Sequence, residues 1–221
     1  MADHHTGRRV KSPPSQRLRR RLAKFLPSLF MRPFMTPPEF RLFAQYSQVP
    51  GHIVEFGSGG STLYYLRRQR IVYSVDNNAA FYAYLNSIAL VRWMKARNKL
   101  HFCYVDIGPT GNWGYPLSEV PEERWTNYYQ AVWQSPGAKD PAILLVDGRF
   151  RVMCLLNAIG SITTETVVIV HDFWARPHYH DVLNFYDCLD RIDTLAILKL
   201  RENIDPVLLA EMRAQFAYDF R

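Results

Sequence analysis

After Pro50-Gly51 the chain alternates between short apolar runs and longer stretches of helical period. The apolar runs cover residues 53–56, 71–75, 100–105, 142–146, 167–170 and 194–200, and most are unbroken and rich in β-branched or aromatic side chains. Strands buried on both faces of a parallel sheet read this way. Between them, residues 62–70, 79–97, 123–134, 150–159 and 178–189 carry helical patterns, and Asp205-Pro206 opens a last helix over 205–216. The alternation predicts an α/β fold: a doubly wound, mostly parallel, Rossmann-like sheet of six or seven strands flanked by helices. Upstream, Thr36-Pro37-Pro38-Glu39 reads as a capping box with proline in the first turn, starting a helix that runs to about Gln48. Residues 36–221 therefore form a single domain.

Ahead of it the pattern changes twice. Residues 1–16 are polar, with no apolar period, and are expected to be a disordered basic arm. Over 17–35 lies an amphipathic basic segment, in which Leu18, Leu22, Phe25, Leu26 and Leu29 form one helical stripe among arginines. Three readings stand: docking on the protein's own core, peripheral contact of residues 17–30 with an anionic membrane, or an organellar transit peptide. No apolar run is long enough to span a bilayer, so a cytoplasmic protein, at most peripheral to a membrane, is expected.

The 221 residues carry 27 basic and 20 acidic side chains, a formal charge of +7. Eight of the bases and one of the acids lie in residues 1–24, which leaves 19 of each in the rest. The body is neutral, so the folded domain is not expected to bind nucleic acid. Cys103, Cys154 and Cys188 have neither disulfide nor zinc-knuckle spacing.

In a doubly wound sheet, ligands bind at the carboxyl ends of the strands. The first strand ends in Glu55-Phe56-Gly57-Ser58-Gly59-Gly60-Ser61-Thr62. Its glycines permit a sharp turn and close approach of a ligand. Asp76, nineteen residues after Gly57, ends the second strand at the spacing of an acid that binds ribose hydroxyls. The last position of a dinucleotide G-x-G-x-x-G pattern is Thr62, and Glu55 would set a carboxylate close to the phosphates, so a dehydrogenase is disfavoured. The acid-x-Gly-x-Gly segment resembles the first motif of class I S-adenosylmethionine-dependent methyltransferases. The resemblance spans roughly residues 36–200, with Ser61 where the family commonly has a third glycine. It implies S-adenosylmethionine as cofactor, with Glu55, Gly57, Ser58, Gly59 and Asp76 binding it and Asp106 beside the adenine.

The fourth strand runs into Asp147-Gly148-Arg149-Phe150-Arg151, and the fifth into His171-Asp172-Phe173, followed by Arg176 and Tyr179. In the family, Asp147 falls at the active-site position. Base-modifying N-methyltransferases have Asn or Asp-Pro-Pro-aromatic there, and this chain has no such prolines. An Asp–His–Asp set suits deprotonation of a hydroxyl, with His171 as general base oriented by Asp147 or Asp172. Alternatively, Asp147 and Asp172 bind a divalent metal, as in catechol-type O-methyltransferases, although those have Asp-Asn where this chain has His171-Asp172. Arg176 is the expected substrate clamp, and Arg149, Arg151, Trp113 and Tyr179 are expected to contact a small-molecule or glycan substrate. The strings Val-Glu-Phe-Gly-Ser-Gly-Gly-Ser-Thr, Val-Asp-Gly-Arg-Phe-Arg and His-Asp are similar to a smaller group that includes glucuronoxylan 4-O-methyltransferase-like proteins and bacterial relatives. That similarity implies O-methylation of a sugar, glycan or small polar acidic substrate. The other reading is a non-catalytic module on the same fold, reaching a partner or membrane through the basic arm.

Overall fold

The computed structural model describes residues 31–118 and 120–221. The basic arm (1–16) and most of the amphipathic segment (17–30) lie outside the described residues. Helix α1 (Pro37–Tyr46) begins with the expected capping box: Thr36 Oγ1 accepts from the Glu39 amide, and the Glu39 carboxylate accepts from the Thr36 amide. Strand β1 (Ile53–Phe56) leads through the glycine loop into α2 (Gly60–Arg67), then β2 (Val72–Asp76). The predicted single helix over 79–97 is two, α3 (Ala79–Ser87) and α4 (Ala89–Ala96), because Ile88 takes an extended conformation and buries its side chain. After β3 (Leu100–Tyr104), residues 123–134 coil as two short 3-10 turns around α5 (Asn127–Gln130). Then come β4 (Ile143–Val146), α6 (Arg151–Ala158) and β5 (Val167–Val170).

The predicted helix over 178–189 is replaced by a 3-10 helix at Pro177–Asn184 and an edge strand, β6 (Tyr186–Ile192). This strand pairs antiparallel with β7 (Leu195–Leu200) through the two-residue turn Asp193-Thr194, with Asp193 at φ 47°. It is the strand that the sequence left unassigned. Its polar residues sit at a sheet edge with one side toward solvent, so it lacks the apolar run that marks the central strands. Helix α7 (Pro206–Phe216) closes the chain, capped by Asp205 as expected.

The seven strands are ordered β3-β2-β1-β4-β5-β7-β6, with β7 antiparallel to both neighbours. Side chains alternate between two cores. Val54, Phe56, Leu144, Val146, Val168 and Val170 face one, and Ile53, Ile143, Leu145, Ile169 and Ile197 the other. Strand register places the site. Val75, Phe56, Val146 and Val170 lie side by side across four parallel strands. The next residues, Asp76, Gly57, Asp147 and His171, therefore emerge in a row at the carboxyl edge.

Candidate active site

Above that row lies a cavity of about 640 Å³. Its walls include Gly57, Ser58, Gly59, Asp76, Trp113, Asp147, Arg149, Arg151, His171, Asp172 and Arg176, so most of the predicted residues do converge. The loops after β1 and β4 touch at its floor. A Cβ on Gly57, whose φ is +96°, would lie 2.7 Å from the Gly148 amide nitrogen. A Cβ on Gly59 would meet nothing within 4 Å, because that position opens onto the cavity. Asp76 is held at the rim by amides, accepting from Ser58 at 3.0 Å and Asn78 at 2.8 Å. Each carboxylate oxygen keeps a lone pair for a further donor. Burial raises the Asp76 pKa in spite of these bonds.

Three predicted residues stand elsewhere. Glu55 does not reach the cavity. Its side chain points to the face that carries α2 and is wholly buried, accepting hydroxyl hydrogens from Ser61 (2.9 Å), Ser74 (2.6 Å) and Thr62. Thr62 in turn accepts from the Gly59 amide, and Ser74 Oγ lies 2.6 Å from Ser58 Oγ. Glu55 therefore shapes the glycine loop from beneath. Asp106 is exposed and caps its own turn, accepting from the Gly108 amide at 2.8 Å. Tyr179 is fully buried beside the arginines, outside the cavity wall.

His171 is the centre of the charged cluster. Its Nδ1 lies 3.0 Å from Asp147 Oδ1 and 3.8 Å from Asp172 Oδ1. Its Nε2 lies 3.7 Å from Glu39 Oε2, an ion-pair distance too long for a hydrogen bond. Burial alone would lower the His171 pKa. The bond and charge of Asp147, with the charge of Asp172, outweigh burial and raise it above the ordinary histidine value. Glu39 is the residue that sequence reasoning missed here. The capping box identified it only as a local helix start, but the same carboxylate also accepts from the Thr194 amide and hydroxyl.

Arg151 is buried under the site, not displayed on its rim as expected. Its Nε donates to Gly148 O (2.9 Å) and its Nη1 to His171 O (2.5 Å) and Asp172 Oδ2 (3.2 Å). Its Nη2 lies 3.3 Å from Asp147 Oδ1. Arg176 Nη2 bonds the outer side of Asp172 at 3.3 Å. Burial would raise the Asp172 pKa, but Arg151, His171 and Arg176 together lower it. Ligand atoms of Asp147, His171 and Asp172 lie within 4.8 Å of one another, a spacing that would admit a metal ion. The donor set does not fit one, because the Arg151 guanidinium already bridges the two carboxylates and supplies the positive charge.

The loop after β3 covers the cavity. Asn77 Nδ2 donates to Gly114 O at 2.8 Å and pins the loop to the end of β2. Trp113, at φ 58°, stands at the mouth 6.4 Å from Phe34, and both rings are largely exposed. Tyr115 turns inward, stacked on the Arg149 guanidinium at 4.1 Å and edge-on to Phe220.

No family model and no curated protein sequence matches the chain. Among solved structures it is similar to a methyltransferase-like protein from Silicibacter pomeroyi DSS-3. Identity is 30%, the TM-score is 0.65, and 85% of this chain and 98% of that one are covered. It also shares its fold with the S-adenosylhomocysteine-bound methyltransferase PaMTH1 of Podospora anserina, at 8% identity and a TM-score of 0.50 over 89% of this chain and 100% of that one. The chain belongs to the class I S-adenosylmethionine-dependent methyltransferase superfamily.

Glu55 yields a stability prediction that needs no substrate. Burial pushes its carboxyl up to about 7 from an ordinary 4.5, in spite of the hydroxyl bonds that favour the anion. Between those two values the native state holds a proton that the unfolded chain releases, so stability falls as pH rises across that window. Glu55→Gln cannot titrate. Urea unfolding at pH 5 and pH 8 should show the wild type losing on the order of 2–3 kcal/mol more than the variant over that interval. Equal losses in the two proteins would count against this assignment.

Proposed function

We propose that the protein transfers a methyl group from S-adenosylmethionine to an oxygen, the acceptor being a hydroxyl on a sugar, a glycan or another small polar acidic molecule. The observation that carries the reading is the His171–Asp147 pair, 3.0 Å apart, which opens onto the same cavity as the glycine loop and Asp76. The open wall at Gly59 and the spare lone pairs of Asp76 suit the nucleoside half of the cofactor.

Bound S-adenosylmethionine supplies an electrophilic methyl carbon on a sulfonium, open to in-line displacement. The protein's part is to hold the acceptor hydroxyl and take its proton. Asp147 fixes the imidazole by accepting from Nδ1–H, which leaves Nε2 as the basic atom, the base–orienter arrangement of general-base catalysis. The acceptor oxygen forms the new C–O bond as its proton passes to His171 Nε2. Arg151 holds Asp147, His171 and Asp172 in one geometry, and Arg176 fixes the outer face of Asp172. A chain that used this fold only for partner docking would have no need of an oriented base over the cofactor loop.

Calorimetric titration with S-adenosylhomocysteine should give micromolar binding to the wild type and at least tenfold weaker binding to Asp76→Ala. Absence of binding by the wild type would end this reading. The rate of S-adenosylhomocysteine formation with hydroxylated acids as acceptors should rise with pH along an acid limb centred above 6.5, because His171 must be neutral to act. Asp147→Asn removes the largest of the interactions that raise the histidine, so its limb should move to lower pH while its maximum rate drops about 10²-fold or more. An unmoved limb would exclude His171 as the base. Since Arg151 occupies the space between the carboxylates, EDTA should leave the rate within twofold. A rate restored only by added Mg²⁺ or Mn²⁺ would overturn the placement of charge argued for Arg151.

A further inference from the structure

Most charged groups at the cavity are met: Asp76 accepts from the Ser58 and Asn78 amides, and Arg32 is exposed to solvent. Glu39, Asp147 and Asp172 are met by Arg151, Arg176 and the His171 imidazolium, through the ion pairs described above. Arg149 has no acidic partner within 4.0 Å among the described residues. It is also 95% buried, at 5% exposure, and its Nε and Nη1 have no hydrogen-bond acceptor. Three of the five guanidinium N–H donors are thus unused. A buried cation in that condition is costly unless something completes it. The side chain lines the cavity, and its flat face is fixed by the Tyr115 ring, so the free donors have a set direction. The hydroxyl of Tyr179, also buried, has no partner either, and Arg176 lies 5.7 Å from the same ring. Burial would raise the Tyr115 pKa, but Arg176 and Arg149 together lower it.

We propose that Arg149, with Tyr115 as its stacking wall and Arg176 at its flank, is the site where the acceptor's own oxyanion, a carboxylate or phosphate, is held. This rests on the methyltransferase reading and narrows its substrate class to acceptors that carry a fixed negative charge near the methylated hydroxyl. Arg151 is excluded from that role, because its donors are consumed inside the protein. The position favours the acceptor over the cofactor's methionine carboxylate. Arg149 follows β4, and Asp172 and Arg176 follow β5, two strands that lie on the opposite side of β1 from β2.

The test uses the full-length protein and Arg149→Met, a substitution of similar length without charge. Without ligand, the variant should melt at the same or a higher temperature, since an uncompensated buried cation has been removed. A drop of several degrees would show that Arg149 has a structural partner and would overturn the proposal. In the S-adenosylhomocysteine-saturated wild type, glucuronate and inorganic phosphate should each give saturable binding, and Arg149→Met should weaken both at least tenfold. Equal binding by the two proteins would also overturn it. S-adenosylhomocysteine itself should bind both within twofold. If the variant instead lost tenfold for S-adenosylhomocysteine but nothing for 5′-methylthioadenosine, the oxyanion would be the cofactor's carboxylate and the acceptor assignment would fall. Failure of the wild type to bind S-adenosylhomocysteine would refute the methyltransferase reading, a result separable from each of these.

Discussion

The buried guanidinium of Arg151 is the interaction on which the candidate site depends. It bonds the carbonyls of Gly148 and His171 and bridges the carboxylates of Asp147 and Asp172, so one side chain joins the loops after β4 and β5. Parallel strands end in loops that diverge toward different helices, and nothing in the sheet ladder fixes them to each other beyond the last paired residue. A planar cation with five donors can do so, because it meets backbone and carboxylate acceptors in several directions at once. The arrangement carries a desolvation cost, and removal of one partner from such a pair typically destabilises by about 3–5 kcal/mol. Asp172 adds to it by adopting φ 57°, a conformation that aspartate tolerates better than most residues.

A second buried ionisable group supports the other half of the cavity. Glu55 sits under the glycine loop as Arg151 sits under the β4 and β5 loops, and both act on the site without being displayed in it. Its three hydroxyl donors and the Gly59 amide form a continuous chain of hydrogen bonds from the β1 interior to the loop. The carboxylate is therefore a template for loop shape. A ligand-facing acid and a loop-shaping acid look alike in a linear motif, since both must fall two residues before the first glycine.

The central strands were legible because they are buried on both faces. The runs at 53–56 and 167–170 match β1 and β5 in full; those for β3, β4 and β7 differ by a residue at one end, and that for β2 by a residue at both. What the sequence concealed had more than one cause. The edge strand β6 has a polar pattern because solvent covers one side of it, and only its Asp193-Thr194 turn carried a local signal. Arg149 and Arg151 are two residues apart and alike in type. The second is pulled under the site by acceptors that β5 supplies, and the first is left facing the cavity beneath Tyr115. Asp106 stands outside the cavity wall for a local reason: it caps its own turn by accepting from the Gly108 amide.

Glu39 shows how a local motif acquires a distant role. A capping box needs only one carboxylate oxygen, and here Oε2 accepts from the Thr36 amide while Oε1 accepts from Thr194. Burial would raise the Glu39 pKa, yet these bonds and the charge of His171 together lower it, so the anion is held beside the imidazole. Helix α1 is thereby joined to β7 and to the end of β5 through one side chain. The consequence for chemistry is a histidine between two anions. Asp147 accepts at Nδ1, and the Glu39 carboxylate lies on the Nε2 side, so both anions favour the imidazolium. In the proposed reaction a base so placed would take up a proton readily and then lose it to solvent through the cavity mouth, where Trp113 and Phe34 stand.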